Sequence, residues 1–314
     1  MTVNRRTDLL LLAVAVVWGS SYLAAAHLLT PGTVFPVLAL RFGVAAAAMV
    51  VLVGARMRSL RREELLVGLV CGGLLSVVLA LETLGLARTS PSNAGLIISL
   101  AIVFTPLLGR QRLPVTFYGG LLITLVGVAV LTTGGLHAPG LGDGLVLLAA
   151  VVRALHLTVM DRLGSPALDA ARTTAVQLLV AAAVFLLAAS VSGPGVGQVG
   201  ASFGPGDWAV TLYLGLGATV FAFAAQMWAV RHTSSSRVGL LLGTEPLWAA
   251  AFGMAFGGAP VTAGAVAGAV LILAGVNWAR SVEARHRALY TRPDGRPDDN
   301  RVAAVALPGE VHGR

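Results

Sequence analysis

The chain has no lysine, a single cysteine and few charges of any kind. Ionised side chains make up 11% of its 314 residues, against roughly 25% in a soluble globular domain. Each shortage removes a class of function. Without lysine there is no Gly-x4-Gly-Lys phosphate loop, which argues against direct ATP coupling. One thiol, Cys71, excludes an intramolecular disulfide. The six histidines, at positions 27, 137, 156, 232, 286 and 312, fall at no metal-ligand spacing, and no Gly-x-Ser-x-Gly nucleophile turn occurs. No metal, cofactor or enzyme chemistry is expected. The net charge of +8 would suit nucleic acid, but the arginines are scattered through short loops without a basic stripe, so no nucleic-acid partner is expected either.

What the chain has in abundance is apolar sequence. Hydrophobic residues reach 56%, in runs long enough to cross lipid, where about 20 helical residues span a hydrocarbon core about 30 Å thick. Spans are expected at 8–28, 36–53, 65–87, 92–109, 115–134, 143–160, 172–190, 208–230, 236–257 and 261–279, the fourth being marginal in length. The fold class is therefore all-α integral membrane, with ten transmembrane helices. The first run resembles a secretory signal but is long for one and contains Trp18, so it reads as an uncleaved span.

The arginines test this count independently of hydropathy. With residues 1–7 in the cytoplasm, the inner segments hold Arg5, Arg6, Arg56, Arg58, Arg61, Arg62, Arg110, Arg112, Arg162, Arg172, Arg231, Arg237 and everything from Arg280 on, whereas the outer loops hold only Arg88. That asymmetry follows the positive-inside rule and puts both termini in the cytoplasm. Residues 280–314 are rich in Arg, Asp, Pro and Gly and read as a disordered cytoplasmic tail, some of whose arginines are within reach of anionic lipid.

The organising stretch is TSSSRVGLLLGTEPLW, Thr233 to Trp248, which sets Glu245 before Pro246 inside an apolar run. A carboxylate in lipid is tolerated mainly where it faces a cavity or a partner, and Pro246, Gly239 and Gly243 make an unbroken helix less favourable. The stretch has an echo at Thr89 to Pro106. An offset of 144 puts Thr89 on Thr233, Ser90 on Ser234, Ser92 on Ser236 and Gly95 on Gly239. Further on, Gly120 and Gly127 match Gly268 and Gly275 at an offset of 148, so the fourth span is about four residues shorter than the ninth. The pairing of Pro106 with Pro246 stays open. Two five-span repeats, 8–134 and 143–279, flank an extracytoplasmic linker at 135–142. An odd number of spans per repeat makes the repeats inverted, the architecture of many alternating-access carriers.

Trp18-Gly19-Ser20-Ser21, Arg41-Phe42, the two Thr-Ser-x-Ser entrances, Glu245-Pro246 and the Gly-x6-Gly-Val endings of the fifth and tenth spans together resemble the drug/metabolite transporter superfamily, in its EamA-like ten-span group. The resemblance covers residues 8–279 and implies a transporter of amino acids, related metabolites or drugs. There are departures. The Gly-Glu-Arg-Leu-type segment of such proteins lacks its glutamate in both halves, at Gly109 to Leu113 and at Gly257 to Pro260, and Arg153 stands where a tryptophan is frequent.

Ionisable residues within the spans are Arg41, Glu82, Arg153, His156 and Glu245. Glu245 and Arg153 both fall near the midplane. They are expected to face one cavity, with Arg153 binding a substrate carboxylate or phosphate or else pairing with Glu245; a permanent pair fixing helix register is the alternative. Arg41 and Glu82 lie in the outer half and suit an outer gate or pair. His156, one turn from Arg153, suits a proton-coupling step or a plain interhelical hydrogen bond. Gln177 and Gln226 occupy the places mirrored from Arg41 and Glu82 and suit substrate binding or helix adhesion. Trp18 and Trp248 are candidate cavity walls. Pro106, Pro246, Gly95, Gly239 and Gly243 are candidate hinges.

The functional expectation is a secondary active exporter of a small polar or amphiphilic metabolite, in the cell membrane, as monomer or homodimer, with lipids and its substrate as partners. A non-transporting receptor or assembly factor is one alternative. An intramembrane transferase is another, against which the scatter of charges over mirrored spans argues.

Overall fold

The computed structural model describes residues 3–29, 32–89, 94, 97–110, 113–132, 140–165, 167–256 and 261–290. All regular structure among them is helical. The helices are α1 (Val3–Leu28), α2 (Val34–Val53), α3 (Arg62–Leu86), α4 (Ala101–Leu108), α5 (Val115–Thr132), α6 (Leu141–Leu163), α7 (Ala170–Val191), the short α8 (Val196–Ser202), α9 (Pro205–Val230), α10 (Ser235–Leu242), α11 (Glu245–Phe256) and α12 (Ala263–Tyr290). Eight helical stretches among the described residues are long and apolar enough to cross a membrane, with α10 and α11 counted as one, and α5 is a shorter apolar helix. The outer surface matches that reading. Val51, Leu52, Val115, Leu187 and Val191 are each at least 68% exposed, an apolar belt that water would penalise and acyl chains accept.

The helices pair across the two halves. α5 packs on α12, α2 on α7, α3 on both α6 and α7, and α1 on α11. In the first of these contacts four glycines remove the Cβ layer between the backbones. A methyl on Gly127 would sit 2.7 Å from the Ile272 amide nitrogen, and one on Gly268 would sit 2.6 Å from that of Leu131. Gly127 faces Gly268 and Gly120 faces Gly275, so α5 and α12 run antiparallel and the glycines matched in sequence meet crosswise. Close approach of this kind substitutes dispersion for the hydrophobic drive that lipid does not supply. At the α2 and α7 contact, Phe42 and Phe185 meet at 5.2 Å with their rings tilted by 53°, both fully buried.

Three features differ from a row of regular spans. The ninth span is broken, α10 ending at Leu242 with Gly243 as its C-cap and α11 starting at Glu245. Its counterpart breaks at residues 99–100, before α4, which is the same point at the 144 offset. α4 then has eight residues where α11 has twelve, the one-turn deficit the sequence implied. The aligned break also settles the prolines: Pro246 is the second residue of α11 and Pro106 the sixth of α4, so they are not equivalent. Second, α9 widens into a π-helix over Tyr213–Phe221, where Gly215 and Gly217 leave room against α2 and α1. Third, α12 continues to Tyr290, so the expected disordered tail is helical for its first eleven residues; the remainder, like Gly95 and most of the 135–142 linker, lies outside the described residues.

Candidate functional site

The breaks in the two halves face each other. Gly239 of α10 lies against Thr105 of α4, and Gly243 against the end of Ile102, which a Cβ added at Gly243 would displace. Beside this contact is a cavity of about 30 Å³, lined by Trp18, Ile98, Ser99, Ala101, Ile102, Arg153, Leu157, Gln226, Gly239, Leu242, Gly243, Glu245 and Pro246. The lining comes from both halves of the chain. Its volume is that of about one water molecule, far below the roughly 300–1,000 Å³ of pockets that hold small molecules.

Arg153 dominates the wall. Its guanidinium is 3.4 Å from Glu245 and 4.0 Å from Glu82, and it lies over the Trp18 ring at 5.1 Å. All three ionic side chains are less than one fifth exposed. Trp18 is fixed from behind: its Nε1 donates to the Ala218 carbonyl at 2.9 Å, and its ring packs on Phe223 at 5.4 Å. That carbonyl sits in the π-helix, and the Arg41 Nη2 also donates to it at 3.4 Å while Nε donates to Thr219 Oγ1 at 2.8 Å. Arg41 and Glu82, placed in the outer half as an outer gate or pair, thus bond to different groups in this structure. Glu82 turns to Arg153, because α3 packs along α6.

Other expected site residues lie off the cavity wall. His156 is 2% exposed with no hydrogen-bond partner on Nε2 among the described residues. Gln177 is fully buried where α7 crosses Gly72, and neither of its amide atoms is bonded among the described residues. Trp248 packs its Cβ against Gly19, where α1 crosses α11. Pro106 is buried within α4.

At one end of the bundle the structure shows ionic networks that the sequence reading missed. Arg237 donates twice to Asp8 at 2.8 Å and once to Glu283 at 3.1 Å, and Arg280 reaches Asp8 at 3.3 Å. Ser234 caps α10 by accepting from the Arg237 N–H and donates to Glu283 at 2.8 Å, which explains the serine of the Thr-Ser-x-Ser entrance. Ser235 donates to Asp161 at 2.8 Å. A second network joins Arg172 to Glu64 through two bonds of 2.6 and 2.7 Å, with the Asp169 and Arg61 N–H groups completing the carboxylate. Burial works against the Asp169 charge, but the N–H groups of Arg172 and Ala171 and the Arg56 guanidinium outweigh it and hold its pKa below the usual range. Only the helix-start position of Glu64 hinted at these contacts. Partners up to 229 residues apart leave no local signal.

The comparisons agree with this architecture. The model of the EamA-like transporter family matches the chain twice, over residues 5–133 and 140–279. The chain belongs to that family. It is a multi-pass membrane protein whose two EamA units meet at the cavity, the second unit supplying Arg153 and Glu245 and the first supplying Trp18, Ile98 and Ile102. One protein of known crystal structure is similar in fold, with a TM-score of 0.72 over 90% of this EamA chain and 99% of its own, at 20% identity. No curated protein matches the sequence.

Proposed function

We propose that this EamA protein is a secondary active transporter that exports a small polar or amphiphilic metabolite, such as an amino acid or drug-like compound, by alternating access across the cytoplasmic membrane. The observation that carries the reading is the matched pair of helix breaks, at 99–100 and 243–244, facing each other beside a buried ion cluster. Interrupted helices meeting near the midplane are how carriers place polar backbone and charge at a site both compartments reach in turn.

Ten spans in two inverted repeats agree with the crosswise glycine contacts of α5 and α12, since antiparallel elements exchanged by a two-fold axis make reciprocal contacts. The arginine-bearing networks at one bundle end agree with both termini in the cytoplasm. The cavity holds about one water, so binding requires the halves to separate. His156, one turn from Arg153, is the candidate for proton coupling.

Counterflow of labelled amino acids in proteoliposomes tests the reading. Flux should fall at least tenfold in Glu245→Gln and Arg153→Ala. Unchanged flux in both would remove the cluster from the transport path, and a flat pH response with active flux would exclude proton coupling.

A further inference from the structure

We infer that the outside of the bundle carries a site for one anionic phospholipid: an acyl chain lies in an apolar groove between α1, α2 and α9, and the phosphate rests on arginines at the adjoining bundle end. The groove has a volume of about 320 Å³ and is lined by apolar side chains throughout, Leu10 of α1, Met49 and Val53 of α2, Ala171 of α7 and Ala224 of α9 among them. Pockets that hold small molecules begin at roughly 300 Å³. Leu52 and Phe221 of the same lining are 68% and 39% exposed, so the groove opens sideways out of the bundle, where acyl chains are the solvent. Its room comes from small side chains beside the π-helix, which ends at Phe221 just before Ala224.

Depth selects which part of a lipid fits. α2 ends at Val53, α7 begins at Ala170, and Leu10 and Ala224 lie near the start of α1 and the end of α9. All four helices therefore reach the groove within about two turns, roughly 11 Å, of their ends. Those ends share one side of the bundle: Arg56 bonds Asp169, Arg231 at the close of α9 donates to the Leu168 carbonyl at 2.6 Å, and Arg237, six residues on, holds Asp8 of α1. Charge then sets this groove apart from the rest of the apolar belt. Arg6 stands one turn before Leu10 on the same face of α1, with Arg5 beside it, and the 3-10 turn Gly54–Ser59 after Val53 holds Arg56 and Arg58; all four are exposed. The acids of the lining helices at this end are engaged, Asp8 by Arg237 and Arg280, and Asp169 by Arg56 and Arg172, while α2 has none. Arg5, Arg6 and Arg58 stand outside those pairs. Guanidinium groups take phosphate oxygens two at a time, and basic residues beside a membrane draw anionic lipid. A zwitterionic head group would bring its own cation to the same arginines. A second copy of the chain seated there about a two-fold axis would set these arginines against themselves.

Native mass spectrometry of the purified full-length protein tests this with two probes of identical oleoyl chains, phosphatidylglycerol and phosphatidylcholine. One phosphatidylglycerol should be retained, about tenfold more tightly than phosphatidylcholine. The double variant Arg6→Gln, Arg58→Gln should erase that preference, whereas Arg88→Gln at the opposite end should leave it intact. Ala224→Leu, which fills the groove, should weaken phosphatidylglycerol by roughly tenfold. Leu52→Asn sets an amide in the groove at an exposed position, so it should act in the same sense even where Ala224→Leu fails to fold. Equal retention of the two lipids, a preference that survives loss of both arginines, or retention indifferent to both groove variants would each overturn the site. A lipid-free dimer that Leu52→Asn dissociates would assign the groove to a second copy and overturn it too. Retention is read without a gradient or a substrate, so its failure leaves the carrier reading standing.

Discussion

Replacing Arg237 by methionine puts the ionic end of the bundle to a quantitative test. The guanidinium is 7% exposed and makes three of the bonds that join α1, α10 and α12. Removing one partner of a buried ion pair costs about 3–5 kcal/mol, because the other charge stays behind desolvated. Here the loss is softened: Asp8 keeps Arg280 at 3.3 Å and Glu283 keeps Ser234 at 2.8 Å. The lower end, about 3 kcal/mol, is therefore expected. Arg56→Met is the control, since Arg56 also pairs with an aspartate, Asp169, but is 59% exposed. Exposed pairs contribute about 0–1 kcal/mol. A gap of about 2 kcal/mol is roughly a 30-fold difference in the folded to unfolded ratio. Equilibrium unfolding in mixed micelles at rising dodecyl sulfate, followed by circular dichroism, reads it directly. Equal midpoints for the two variants would refute the claim that burial makes the Arg237 network a structural lock.

Glycine substitutions probe the helix contacts. Gly127→Ala should lower stability by about 1–3 kcal/mol in the same assay, because the added methyl meets the Ile272 backbone, while Gly119→Ala on the same helix meets nothing and should be neutral or slightly stabilising. Ser234→Ala removes the α10 cap and a bond to Glu283 and should cost about 1–2 kcal/mol. Cys71 is fully buried, so single-cysteine variants report orientation cleanly: an impermeant maleimide added to intact cells should label Arg88→Cys and spare Arg58→Cys, and the converse would invert the topology. Asp169 has a depressed folded pKa, so its stabilisation is present above the unfolded value near 4 and is lost as pH falls through the folded one. Asp169→Asn should accordingly flatten the acid limb of the stability curve.

The helix break at Glu245 was legible because an acid, a proline and two glycines in one apolar run leave few alternatives, and its partner was legible because the chain repeats itself. Even the missing turn of α4 could be read from a change of offset. Arg153 beside Glu245 followed from depth alone, both lying near the midplane. Lateral neighbours did not follow. Depth put Arg41 beside Glu82, yet which helices touch decides the pairing, and α3 packs on α6. The tryptophans split for the same reason: Trp18 reaches the cavity, whereas Trp248 does not line it and meets Gly19 of α1 with its Cβ. The π-helix of α9 leaves only Gly215 and Gly217 as traces, and glycines are too common in this chain to single them out.

The unequal arms, eight residues in α4 against twelve in α11, bear on energetics rather than architecture. In a carrier whose two states arise by trading the roles of its halves, identical halves would make those states equally populated at rest. A missing turn, about 5.4 Å of helix, would spoil that degeneracy, so that one state of such a carrier would carry more buried surface and dominate before any cargo arrives. If the chain works as proposed, gradients would still dictate which way material flows, while the unequal arms would set how tightly each compartment's side holds on.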